Sequence, residues 1–168
     1  MITHHEEELM STQATRAGML AAQFEATAAQ FKDTVTSVPD EKWKAQTPAD
    51  GRPVNVVAHH AAVSHAQIAG LVRAIADGQG TPLTMEQIHA GNAEHARQFA
   101  GCSKTETLET HDRGSAEASA IVSGLTDEQL AQSGEFLAGR PMTVEQAIEG
   151  ILIGHPREHM ATIQAALA

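Results

Sequence analysis

The sequence predicts an all-α protein, a bundle of four long helices with one additional shorter helix. Three observations predict it. Alanine, leucine, glutamate and glutamine dominate the periodic segments, and these residues favour helix over sheet. Apolar residues recur at alternating spacings of three and four, the signature of one buried helix face. The only long run of β-branched residues, Thr34-Val35-Thr36, is too short to seed a sheet. At 168 residues the chain is long enough to bury a core. No repeat, low-complexity stretch or linker divides it, so residues 1–168 read as a single domain.

The first helix is expected from about Glu6 to Val38, with Leu20, Phe24, Thr27, Phe31, Val35 and Val38 as its buried stripe. Pro39-Asp40-Glu41 marks its exit, and Trp43 to Arg52, with Pro48, Asp50 and Gly51, reads as a loop. A second helix begins near Pro53, a residue suited to a helix start, and ends at Asp77-Gly78. Val56, Val57, His60, Ser64, Gln67, Leu71 and Ile75 cluster on one side of its wheel. His60 lies near the middle of that stripe and His59 on its flank.

Thr84 and Gln87 form a capping box for a third helix, Thr84 to Ala100, whose inward stripe is Ile88, Asn92, His95 and Phe99. A fourth helix runs from Ser103 to Gly124, opened by Ser103 and Glu106, with Leu108, His111, Ser115, Ala118, Val122 and Leu125 inward. Gly101 and Gly124 stand where helix C-terminal caps belong. Thr126 to Met142 reads as a loop with a short helical turn. The last helix starts at Thr143, three residues before Gln146, and runs to Leu167 with Ile148, Leu152, His155, His159 and Ile163 on its core face.

Composition excludes several functions. Net charge is −10, from 11 basic and 21 acidic residues, and no basic stripe is present to neutralise phosphates. Nucleic acid and anionic membranes are therefore not expected partners. The single cysteine, Cys102, rules out an internal disulfide and a cysteine-based zinc site, and it reads as an ordinary small residue. No stretch reaches membrane-spanning length and no signal pattern opens the chain, so a cytoplasmic location is expected. His4-His5 reads as part of a solvated terminus.

Histidines carry the functional signal. His155 and His159, four apart, stand on one helix face and can chelate one ion while leaving coordination positions open. Several neutral imidazoles on an apolar face cost free energy unless each finds a partner, and one ion partners them all. His60 is the inward-facing histidine of another helix. Pro156 removes the backbone N–H that would bond Leu152, so a kink is expected between the two histidines.

The sequence resembles the DinB-like metal-dependent family, grouped with thiol-dependent S-transferases. Gly51-Arg52-Pro53-Val54-Asn55-Val56-Val57-Ala58-His59-His60 looks like the family's entry into the helix that carries the first ligand, which the register places at His60. His155 and His159 match its two C-terminal ligands, and Leu125-Thr126-Asp127-Glu128-Gln129-Leu130 is similar to its connector before the last helix. Arg52 departs from the tryptophan usual at that position, and Pro156 interrupts the ligand helix. The resemblance implies a four-helix bundle of DinB/YfiT-like type that forms dimers. It also implies zinc or nickel on His60, His155 and His159, and a low-molecular-weight thiol such as mycothiol or bacillithiol as cosubstrate of a small-molecule transfer or isomerisation. Metal-dependent hydrolysis and a non-catalytic, stress-associated metal-binding bundle are the other functions open at this point.

Asn92 and His95 are the candidates for residues that orient ligands or substrate in the pocket, with His65 and Glu158 weaker ones. The competing reading of Asn92 and His95 is a polar layer satisfied by backbone or water. His65, His89 and His111 read as surface or core-edge histidines.

Overall fold

A computed structural model describes residues 14–80 and 83–168. Helix α1 spans Arg16–Ser37, and all six residues of its expected stripe are buried. Thr15, in extended conformation, caps it by accepting from the Gly18 N–H. His4, His5 and the start expected at Glu6 lie outside the described residues.

Helix α2 spans Val54–Ala76 and opens at Pro53, which is held to Gln46 by a single β-bridge. It ends in a Schellman turn: Gly78 takes φ 76° and the Gln79 N–H donates to the Ala74 carbonyl at 2.7 Å. The wheel caught part of its core face, since Val56, Val57, Ser64 and Ile75 are buried. Gln67 is exposed and Leu71 half-buried, whereas Ala58, Ala61, Ala62, His65, Ala69 and Val72 are buried. Small side chains define that face because the helix behind it lies so close. A Cβ on Gly114 would stand 3.1 Å from the Ala62 carbonyl oxygen.

That neighbour is α4, Lys104–Ser123, capped by Ser103 and burying Thr107, His111, Gly114, Ala118 and Val122. Helix α3, Met85–Gln98, has the expected Thr84–Gln87 capping box but buries no residue fully. Its inward stripe of Ile88, Asn92, His95 and Phe99 is half-buried, so α3 stands off from the bundle as a wall.

The region read as a loop is more ordered. Thr126 and Gln129 box the short helix α5, Asp127–Ala131, and an antiparallel hairpin follows, β1 Ser133–Phe136 with β2 Arg140–Thr143. Phe136 enters the core, and Gly134 packs so tightly on α2 that a Cβ would come within 2.6 Å of Ile75 Cγ2. The fold remains predominantly helical.

The last segment is a broken helix. A Thr143–Gln146 capping box opens α6, Val144–Ala147, a π turn covers Ile148–Leu152, and α7 spans Gly154–Leu167. Within the turn the Ile153 N–H donates to the Ile148 carbonyl at 2.9 Å. Pro156 is the third residue of α7, where an N–H needs no partner within the helix. The distortion expected between His155 and His159 therefore falls before both, and the pair keeps regular helical spacing.

The core has two apolar clusters. Leu20, Phe24, Val72, Val122, Phe136 and Leu152 belong to one, and Phe31, Val35, Trp43, Val57, Met160 and Ile163 to the other. Among the described residues no helix is long and apolar enough to cross a membrane.

Candidate metal centre

Helices α2 and α7 bring His60, His155 and His159 together. One ring nitrogen from each lies within 4.8 Å of those of the other two. The ring centroid of His60 is 5.1 Å from each of the α7 rings. The Nε2 atoms of His155 and His159 are 3.0 Å apart. No other group of three histidine, cysteine or acidic side chains converges in this way among the described residues.

Burial governs the charge of the three rings. It pushes His60 and His155 down to about 3 and His159 to about 4, with the neighbouring imidazoles and Arg52 adding to the shift. All three are therefore neutral at neutral pH and offer lone pairs. His155 Nδ1 is buried without a hydrogen-bond partner. Three neutral imidazoles clustered this tightly, one with an orphaned nitrogen, fit a divalent cation. Ligands at the ~2.0–2.1 Å bond lengths of zinc–imidazole sites necessarily lie a few ångströms from each other. Among the described residues no carboxylate joins the cluster, and Glu158 is exposed.

The other expected site residues divide. Asn92 and His95 line the cavity that opens onto His60 and His155. The His95 ring meets the edge of His60 with centroids 5.5 Å apart, but its Nε2 shares a hydrogen with His59 Nδ1 at 2.9 Å. His59, set on the flank by the wheel, is buried and stacks on Phe99 at 4.0 Å. Sequence reasoning missed this His59–His95–Phe99 stack. The signal that could have found it is the i, i+4 spacing of His95 and Phe99 on α3, which presents two flat rings to one α2 side chain.

His65 and His111 are a correction. Both read as surface or core-edge residues, yet they are 1% and 2% exposed, His111 in keeping with its place on the inward stripe of its helix. His65 Nε2 and His111 Nδ1 lie 3.1 Å apart, and His65 stands edge-on to Phe24 and Phe31. His89 is exposed, as expected. Cys102 is buried in the junction before α4, and burial raises its thiol pKa, which leaves it a packing residue. Its carbonyl accepts from Trp43 Nε1 at 2.9 Å, tying the loop before α2 to the start of α4.

Fold and site together define a helical bundle with a three-histidine cluster on its second and last helices. The chain belongs to the DinB superfamily, whose family model matches residues 23–163. Among solved structures it is similar to a mycothiol-dependent maleylpyruvate isomerase, with a TM-score of 0.74 at 10% identity over 97% of this chain. A histidine-to-alanine mutant of that isomerase gives a TM-score of 0.73, also at 10% identity over 97% of this chain. At that identity the likeness shows the fold. The chain spans 63% of the length of both isomerase chains. No curated protein matches the sequence.

Proposed function

We propose that the protein is a metal-dependent enzyme that activates a low-molecular-weight thiol for transfer or isomerisation. His60, His155 and His159 hold the metal. The observation that carries this reading is the convergence of three neutral imidazoles beside a cavity large enough for a small molecule. The superfamily and the thiol-dependent isomerases of the same fold support the choice of thiol chemistry over hydrolysis.

Bound there, zinc or nickel would lower the pKa of a thiol and hold it as thiolate. The chain's own part is to keep the three rings unprotonated by burial. It also aligns two of them on one face of α7. The His95 ring sits beside His60, with its hydrogen shared with His59, and limits the movement of the first ligand.

Metal content measured on the purified full chain, with zinc, nickel and each thiol added in turn, tests the reading. About one ion per chain is expected. In the cobalt-substituted protein, mycothiol or bacillithiol is expected to produce a thiolate-to-metal absorption band. A chain that takes up no ion, or a loaded chain indifferent to both thiols, would overturn the thiol reading. We further propose that the protein works as a homodimer on a small-molecule substrate, which sedimentation analysis checks.

A further inference from the structure

The cavity beside the histidines has a volume of about 580 Å³, in the range of small-molecule sites. Its walls are Val63 and Leu71 from α2, Ile88 and Asn92 from α3, Ile151 from the π turn, and His60 and His155 at its end. Among the described residues, no aspartate, glutamate, lysine or arginine lines it. That is unusual in a chain of net charge −10 with 19% charged residues. Charged groups are kept off this surface although α3 itself is largely exposed and carries Glu86, Glu94 and Arg97.

The polar groups present are mostly occupied. Gln87 accepts from the Thr84 N–H through its side chain, and Ser64 Oγ donates to the His60 carbonyl. Asn92 stands at the middle of the inward stripe of α3, where His95 is already paired with His59; Gln67 also lines the cavity. A ligand that carried a formal charge along this wall would lose its hydration and find no ionic side chain lining it, since Arg52, whose charge reaches the histidine end, is already paired with Asp50. An uncharged ring or branched chain would displace water from Val63, Leu71, Ile88 and Ile151 at no such cost.

We infer that the cavity takes an uncharged, predominantly apolar small molecule whose single polar function meets Asn92. It is the electrophilic partner of the thiol, an identification that rests on the function proposed above. The charge selectivity itself is a property of the wall and does not need the metal.

The test uses three probes of one shape, naphthylmethanol, naphthylmethylammonium and naphthoate, titrated calorimetrically into the full chain. The deciding comparison uses chelator-treated protein, because naphthoate can ligate a bound ion. Naphthylmethanol is expected to bind at least about tenfold tighter than either charged probe. Equal or tighter binding of a charged probe overturns the inference, as does failure of naphthylmethanol to bind.

Two variants locate the binding. Ile151→Trp fills the cavity and is expected to weaken naphthylmethanol at least about fivefold. Leu71→Lys, at a half-exposed position that tolerates a long polar chain, is expected to shift preference towards naphthoate. Folded variants that bind all three probes as wild type does would place them elsewhere and overturn the inference. A neutral preference that persists in a protein inert towards thiols would sink only the proposed function. A lost preference in a thiol-active protein would sink only this inference.

Discussion

Two groups of histidine sit a few residues apart in this bundle and do opposite things. His65 and His111 face each other at 3.1 Å between phenyl rings, almost wholly out of solvent. His60, His155 and His159 are half-buried, the first two open onto a cavity, and one of their nitrogens has no partner. Two rings can satisfy each other through one shared hydrogen. Three neutral rings converging from two helices can turn their lone pairs toward one point, which is the arrangement a cation completes. A histidine on an apolar helix face is therefore not a ligand by itself. What separates the groups is how many rings converge and whether a path leads in.

The largest effect expected is on acid stability. His65 titrates near 3 in the folded chain against 6.5 when exposed, and burial lowers His111 as well. Between about 6.5 and 3 the unfolded chain binds more protons, so stability is full above 6.5 and falls as pH drops. His65 removes up to about 1.4 kcal/mol per pH unit in that window, and His111 acts in the same direction. Denaturant unfolding of metal-free protein from pH 7 to 4 should lose several kcal/mol. A flat profile would mean that the rings are hydrated in solution, and the contrast between the groups would collapse.

Next in size is truncation of the core pair. His65→Ala leaves a void beside Phe24 and Phe31 and strands the His111 ring, a loss of about 3 kcal/mol or more. Metal stoichiometry should stay unchanged at neutral pH. The mirror experiment is His60→Ala, which should abolish tight metal binding with a smaller change in the melting temperature of the metal-free protein. If His65→Ala instead loses metal at constant stability, the roles assigned to the two groups are reversed.

Chelation should come third. An ion present at a hundred times its dissociation constant stabilises by about 3 kcal/mol. Wild type is expected to lose that on treatment with chelator, and His60→Ala, already metal-free, nothing. A thermal shift of equal size in both proteins would place the ion elsewhere.

The two groups also differ in how far the sequence reveals them. Helical phase put His60 on an inward stripe, the i, i+4 spacing aligned His155 with His159, and capping pairs such as Thr84–Gln87 and Thr143–Gln146 marked helix starts. These are local signals, and local geometry preserves them. The His65–His111 contact joins residues 46 apart in sequence through a helix crossing that no window contains. The α2 wheel caught only part of the core face for a related reason. Gln67 and Leu71 line the cavity, while the face that packs tightest is rich in alanine, which carries a weak hydrophobic signal but lets Gly114 approach. The hairpin was missed because Ser133-Gly134-Glu135-Phe136 is too short to show alternation and is ordered by Ile75 and the core around Phe136. Pro156 was seen, but the π turn that absorbs it leaves no mark on spacing.

The smallest effect expected is the most telling. Replacing both members of the core pair, His65→Leu with His111→Leu, removes the donor and the acceptor together and fills the space with apolar groups of similar size. Such paired replacements are close to neutral, so stability at pH 7 should change by no more than about 1 kcal/mol. The acid slope between pH 6.5 and 4 should flatten by the share that the two rings contributed. The same double exchange applied to His155 and His159 should leave no metal site while also stabilising the metal-free bundle, because the orphaned Nδ1 disappears with its ring. If the His65/His111 double variant loses several kcal/mol at pH 7, its hydrogen bond contributes to the fold beyond filling space. The core pair would then resemble the cavity group in depending on a polar partner.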